Sequence, residues 1–215
     1  MNKMLRVASG WDLATTSSNS ISFSVAGQDS FPTGVTFKPD GTKMYMIGFS
    51  SKRVHQYTLS TAWSLSTASS DSVSFYAGSQ EASCMSVTFK PDGTKMYLTG
   101  GRSDAVHQYT LSTAWDLSTV SYDSVSLDVS GEDGYPAGLT FRPDGKKMYI
   151  VGSSDAVHQY TLSTGWSLST ASYDSVSLGV SGEDSAPQGL AFKPDGTKMY
   201  IVGSSSDSVH EYVLS

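Results

Sequence analysis

Four histidines, His55, His107, His158 and His210, recur every 51 or 52 residues, and four tryptophans, Trp11, Trp63, Trp115 and Trp166, keep the same interval. Imidazole titrates nearest neutrality and ligates metals, so a ring of equivalent histidines invites a metal reading. Metal ligation needs donors that converge to about 2 Å, and histidines on separate copies of a repeat stand too far apart to share one ion. The spacing instead suggests imidazoles packed or hydrogen-bonded between neighbouring units, so neither a metal site nor a cofactor is expected.

Carboxylates recur in two other sets. Asp29, Glu81, Asp133 and Asp184 stand in one loop of each unit, with Glu132 and Glu183 beside the last two, and Asp104, Asp155 and Asp207 stand in a second loop, where Lys52 replaces the acid. Asp29, Glu81, Asp104, Asp133, Asp155, Asp184 and Asp207 are the candidate ligand-binding positions. The copies differ most around them: Gln28-Asp29-Ser30-Phe31-Pro32 becomes Gln80-Glu81-Ala82-Ser83-Cys84 and Glu132-Asp133-Gly134-Tyr135-Pro136. The four tryptophans are the candidate aromatic contacts, able to stack a sugar ring, or else to plug the rim between units. No catalytic residue is expected, because acid–base chemistry needs residues in different roles at one point. A nearly fourfold repeat gives each residue type the same surroundings four times.

The elements that position these residues follow from one unit. Phe-Lys/Arg-Pro-Asp-Gly recurs at Phe37, Phe89, Phe141 and Phe192, and the repeats run approximately over 11–62, 63–114, 115–165 and 166–215 of a single domain. In the third copy, Ala137–Arg142 reads as a strand stopped by Pro143-Asp144-Gly145, a turn in which Pro sets φ, Asp bonds its own backbone and Gly takes a left-handed conformation. Asp40, Asp92, Asp144 and Asp195 are therefore assigned to turn chemistry. Lys147–Val151 returns as a second strand, Ala156–Leu162 leaves as a third, and Ser172–Val180 alternates apolar and polar residues as a fourth. No apolar period of 3.6 persists, which excludes a helical solenoid. A four-stranded antiparallel meander apolar on both faces must stack on copies of itself, and the all-β architecture that does so radially is the β-propeller.

The phase of the repeat adds a statement about closure. Thr16–Ala26 aligns with the fourth strand of later copies, yet no first three strands precede it, while Val209–Leu214 is a third strand without a fourth. The expected ring closes by pairing the N-terminal outer strand with the C-terminal three strands, which leaves no open edge. Closure within a monomer is expected, with exchange of terminal strands between two chains, giving an eight-bladed homodimer ring, as the alternative.

The run Pro136–Tyr149, its copy Pro187–Tyr200 and Val-His-Gln-Tyr at Val157–Tyr160 resemble propellers of the YVTN and NHL type. The resemblance covers nearly the whole chain from Trp11 and implies the fold, in a superfamily that holds lactonase-like enzymes, surface proteins and interaction scaffolds. Trp-Asp at Trp11 and Trp115 is similar to WD40 repeats, but Trp63 and Trp166 are followed by Ser and no Gly-His precedes them. The regularity points to a non-enzymatic scaffold or binding module for a protein or glycan, with a lactonase-like hydrolase or a repeat-amplified scaffold without a ligand as alternatives.

Composition bounds these readings. A chain of 215 residues with 38% hydrophobic residues can fill a core, and a net charge of −6 argues against nucleic acid, which needs clustered basic residues. The single cysteine, Cys84, cannot form an intrachain disulfide. No apolar run approaches the roughly 18 residues of a membrane span, and Val7–Trp11 is too short for a signal-peptide core. A cytoplasmic location is the default expectation, with no membrane partner.

Overall fold

A computed structural model describes residues 19–214. The chain is an all-β, four-bladed β-propeller, and each repeat is one antiparallel sheet. The first blade holds β1 (Pro32–Phe37), β2 (Lys43–Gly48), β3 (Arg53–Leu59) and β4 (Ala68–Tyr76). The second holds β5 (Cys84–Phe89), β6 (Lys95–Gly100), β7 (Ala105–Leu111) and β8 (Val120–Asp128). The third holds β9 (Pro136–Phe141), β10 (Lys147–Gly152), β11 (Ala156–Leu162) and β12 (Ala171–Gly179). The fourth holds β13 (Pro187–Phe192), β14 (Lys198–Gly203) and β15 (Val209–Val213). The only helical turns among the described residues are single 3₁₀ turns such as Leu117–Thr119, just before the outer strand.

The sequence dictates this local order. The second strands, such as Lys95–Gly100, are buried along nearly their whole length because sheets cover them on both faces, so they read as apolar runs. The outer strands alternate, as β8 does between half-buried and exposed residues, because one of their faces meets solvent. Each Pro-Asp-Gly turn closes with the glycine N–H on the carbonyl three residues back, Gly93 on Lys90 at 2.8 Å. Asp92 accepts from Thr94 N at 3.0 Å, and Gly93 has φ +76°. The Trp115 ring lies against that glycine, where a Cβ would come within 2.2 Å of its Nε1.

Blades stack through a repeated aromatic contact. Phe89 of the second blade lies 4.5 Å from Tyr45 of the first and 5.2 Å from its own Trp115, centroid to centroid. Phe141 does the same with Tyr97 and Trp166, at 4.7 and 5.0 Å. Tyr45 Oη donates to Trp115 O at 2.6 Å, and Gln56 Oε1 accepts from Leu117 N at 3.0 Å, so each blade grips the connection of the next.

The last blade has three strands among the described residues, and residues 19–25 belong to none of the four sheets. The pairing expected to close the ring is therefore not among the described strand registers, and residues 1–18, including Trp11, lie outside the described part. Residues 19–25 nevertheless keep the station of an outer strand against the first blade. Phe23 meets Tyr57 edge-on at 5.6 Å as Phe75 meets Tyr109 at 5.2 Å.

Candidate functional site

The two carboxylate-bearing loop sets meet on one face of the molecule, and most of the first set is used there to build it. Asp29, Glu81, Asp133 and Asp184 are all buried. Each follows a short turn and accepts hydrogen bonds from its own loop and from the loop after the second strand. Glu81 takes Ser83 N at 2.6 Å, Arg102 N at 3.1 Å, and Ser103 N and Oγ at 3.0 and 2.5 Å. Asp133 takes Tyr135 N and Ser153 N, with Ser154 Oγ at 2.7 Å. Burial alone would raise the Asp29 pKa, but bonds from Ser51 and Phe31 outweigh it and hold the carboxyl below the usual range. At Asp184 the bond from Ser206 leads the same effect.

The histidines complete these clusters. Ser103 Oγ lies 2.9 Å from His107 Nε2, Ser154 Oγ 2.9 Å from His158 Nε2, and Ser206 Oγ 2.9 Å from His210 Nε2. Each serine gives its one proton to the carboxylate, so the imidazole Nε2 carries the hydrogen that reaches the serine. The order is carboxylate–serine–histidine. A nucleophilic triad needs histidine in the middle to take the serine proton, so these rows are loop clamps. They lie within the corner of one blade, which corrects the expectation that the imidazoles bridge blades. Burial lowers the pKa of His55, His107 and His158 and favours the neutral ring.

Asp104, Asp155 and Asp207, with Lys52, share a left-handed backbone at φ 49 to 56°. The carbonyls of Lys52, Asp104 and Asp155 anchor the end of the following outer strand, as Asp104 O accepts from Val129 N at 2.9 Å. The tryptophans face the opposite rim. Trp115 is buried between Phe89 and Tyr45, whereas Trp63, on the first blade, is 60% exposed. Cys84 is buried, its thiol pushed up to about 12 chiefly by burial.

The axial mouth is built from residues not singled out in the sequence. The four inner strands, with Tyr200, Ile201, Val202 and Val209 of the fourth blade, line a cavity of about 460 Å³, which shares Thr33, Met85 and Gln188 with a mouth of about 650 Å³ between the carboxylate-bearing loops. Phe31, Phe49, Met85, Tyr135 and Gln188 line that mouth with Ser30, Ser50 and Thr33. Phe31 and Phe49 meet edge-on at 5.8 Å, and Tyr135 Oη reaches Met85 Sδ at 3.6 Å. The Tyr135 ring lies on Gly101, where a Cβ would approach it to 1.9 Å. A signal for this site did exist in the sequence. Phe31, Ser83, Tyr135 and Ala186 occupy one repeat position, and Thr33, Met85, Ala137 and Gln188 another, so identity is lost where the repeats converge on the axis.

No protein-family model matches the chain, and no curated protein sequence matches it. Solved structures do match. A functionally unknown protein from Desulfotomaculum acetoxidans superposes with TM-score 0.58 at 12% identity, covering 86% of this chain and 52% of its own. A candidate 6-phosphogluconolactonase from Bacteroides uniformis gives 0.58 at 16%, covering 85% and 50%. The periplasmic gluconolactonase PpgL of Pseudomonas aeruginosa gives 0.56 at 18%, covering 85% and 49%. The likeness is one of fold, and the chain spans about half the length of these structures. It corrects the expectation of a non-enzymatic chain, because two proteins of this architecture carry lactonase names. The repeat breaks at the mouth, where unlike residues converge, so the fourfold regularity of the strands does not extend to this site. Among the described residues no cluster of three or more His, Cys, Asp or Glu is arranged to hold a metal ion, and no helix is long and apolar enough to cross a membrane.

Proposed function

We propose that this chain is a lactonase-like propeller hydrolase with YVTN/NHL-type repeats, and that its substrate is a small neutral sugar lactone held in the axial mouth. The observation that carries this reading is the make-up of the mouth. Phe31, Phe49 and Tyr135, 60%, 37% and 37% exposed, offer aromatic surface to the C–H face of a sugar ring, while Ser30, Ser50, Thr33 and Gln188 offer uncharged hydrogen-bonding groups to its hydroxyls. Among the described residues no lysine or arginine lines the mouth, which favours an unphosphorylated lactone. Lactone opening adds water to the acyl carbon, breaks the ring C–O bond and passes a proton to the departing alkoxide. Gln188 gives one amide N–H to Ser204 Oγ at 3.1 Å, and its second N–H serves as the donor that polarises the lactone carbonyl.

The test is proton release from gluconolactone and from its 6-phosphate. A saturable rate above spontaneous opening is expected for the neutral lactone, a lower kcat/KM for the phosphorylated one, and a fall of about tenfold or more in Gln188→Ala, the size of one lost hydrogen bond. A rate no faster than buffer alone for both lactones would overturn the reading.

A further inference from the structure

The first and fourth blades each leave exposed the side that every other blade buries. Val35 is 60% exposed, whereas Val87 and Leu139, its counterparts on β5 and β9, are 5% exposed. Val202 and Val209 are 45% and 53% exposed, although Val151 and Val106 at the same repeat positions are 0% exposed. These are the two halves of one kind of junction, since each internal interface sets a leading side such as Val87 and Phe89 against a trailing side such as Tyr45 and Ile47.

Residues 19–25 carry the marks of a fourth strand for β15. Ser20 has φ 58°, the left-handed bulge that Ser72, Ser124 and Ser175 adopt in the three complete outer strands at 56 to 57°. Val25 O accepts from Gln28 N and Asp29 N as Ala77 O accepts from Gln80 N and Glu81 N. The polar pair between third and outer strands is preserved with its partners exchanged. Gln56, Gln108 and Gln159 donate to Asp71, Asp123 and Asp174 at 2.7, 2.7 and 2.6 Å. At the corresponding positions β15 carries Glu211, and the N-terminal segment carries Asn19. Carboxylate and amide have changed places, so an amide–carboxylate bond still forms when that segment lies beside β15.

We propose that the β15 edge and the exposed side of the fourth blade dock the N-terminal segment and first blade of a second copy of this chain. The segment stands against its own first blade, through Phe23 on Tyr57. That blade's leading side is exposed, and so is the trailing side of the fourth blade, and in the proposed assembly the β15 it joins is the second copy's. Two copies related by a twofold axis satisfy both junctions at once and make an eight-bladed ring with no open edge.

Light scattering on the full chain at micromolar concentration should give twice 22.9 kDa; a mass of 22.9 kDa would overturn the proposal. Val35→Asp and Val202→Asp alter residues already exposed in one copy, so each should fold with unchanged circular dichroism and weaken the dimer at least about tenfold. Mixing them restores one intact junction and hence the dimer, and no recovery on mixing would exclude head-to-tail docking. The repeat places Ile21 opposite Glu211, as Gln159 faces Val176 and Gln108 faces Val125. Oxidising a mixture of Ile21→Cys and Glu211→Cys chains should therefore yield a crosslinked dimer. In a chain carrying both Ile21→Cys and Glu211→Cys, oxidation that closes exclusively within single chains would instead assign the strand to its own chain.

Discussion

At the scale of single residues, the molecule spends its titratable groups on holding corners together. Ser103→Ala removes a donor from the buried Glu81 carboxylate and the partner of His107 Nε2, and should cost about 1–3 kcal/mol in denaturant unfolding. The tyrosines on the third strands provide a matched comparison. Tyr160 Oη donates to Glu132 at 3.0 Å, whereas the buried Tyr109 Oη has no hydrogen-bond partner, Gln80 standing where Glu132 does. Tyr160→Phe is expected to cost about 1.5 kcal/mol or more, and Tyr109→Phe close to nothing, because it removes an unsatisfied hydroxyl. Equal losses in both variants would refute that contrast. The pH dependence follows from the depressed histidines. Burial lowers the folded pKa of His55, His107 and His158, so the unfolded chain binds more protons just below its own value of about 6.5. Their stabilisation is fully present above that value and is lost as pH falls from there through the folded values. The depressed carboxylates Asp29, Asp71 and Asp123 contribute above about pH 4, and that part is lost in more acid solution. The melting temperature should thus fall in two separate stages on acidification, and a constant value between neutral pH and pH 5 would count against the histidine stage.

At the scale of elements, most of each blade was legible in the sequence. Ala156–Leu162 forms the strand that its pattern implies, and the Pro-Asp-Gly stop ends β9 at Phe141, because turn chemistry and period-two patterning are local. The axial mouth was less legible. Its members are set by the convergence of loops from four blades, and a periodicity argument emphasises what recurs, whereas Phe31, Tyr135 and Gln188 matter because they do not recur. The buried carboxylates were visible as a set, but their environment was not: the donors that saturate Glu81 include Arg102 and Ser103, about twenty residues away. Two glycines make the element-level argument testable. Gly93→Ala puts a Cβ against Trp115 at φ +76°, and a loss of about 2–4 kcal/mol is expected in thermal or denaturant unfolding. Gly101→Ala displaces the Tyr135 ring from the mouth, so it should raise KM for the lactone more than it changes stability.

At the scale of the whole molecule, the proposed dimer would couple stability to association. If the exposed sides of the first and fourth blades meet in a second copy, mass action makes the melting temperature rise with protein concentration. A tenfold dilution series should show it, and Val202→Asp should abolish the dependence. A melting temperature independent of concentration in the parent chain would argue for isolated four-bladed molecules. By itself, the sequence determined the blade, its turns and the strand order, because strand patterning and turn geometry act over a few residues and the repeat states them four times. Only the tertiary structure decided which residues face the axis, which carboxylates are consumed as clamps and which blade sides stay exposed. Those properties depend on distances between residues far apart in the chain, and the sequence marks them only indirectly, by the loss of repeat identity at the axial positions.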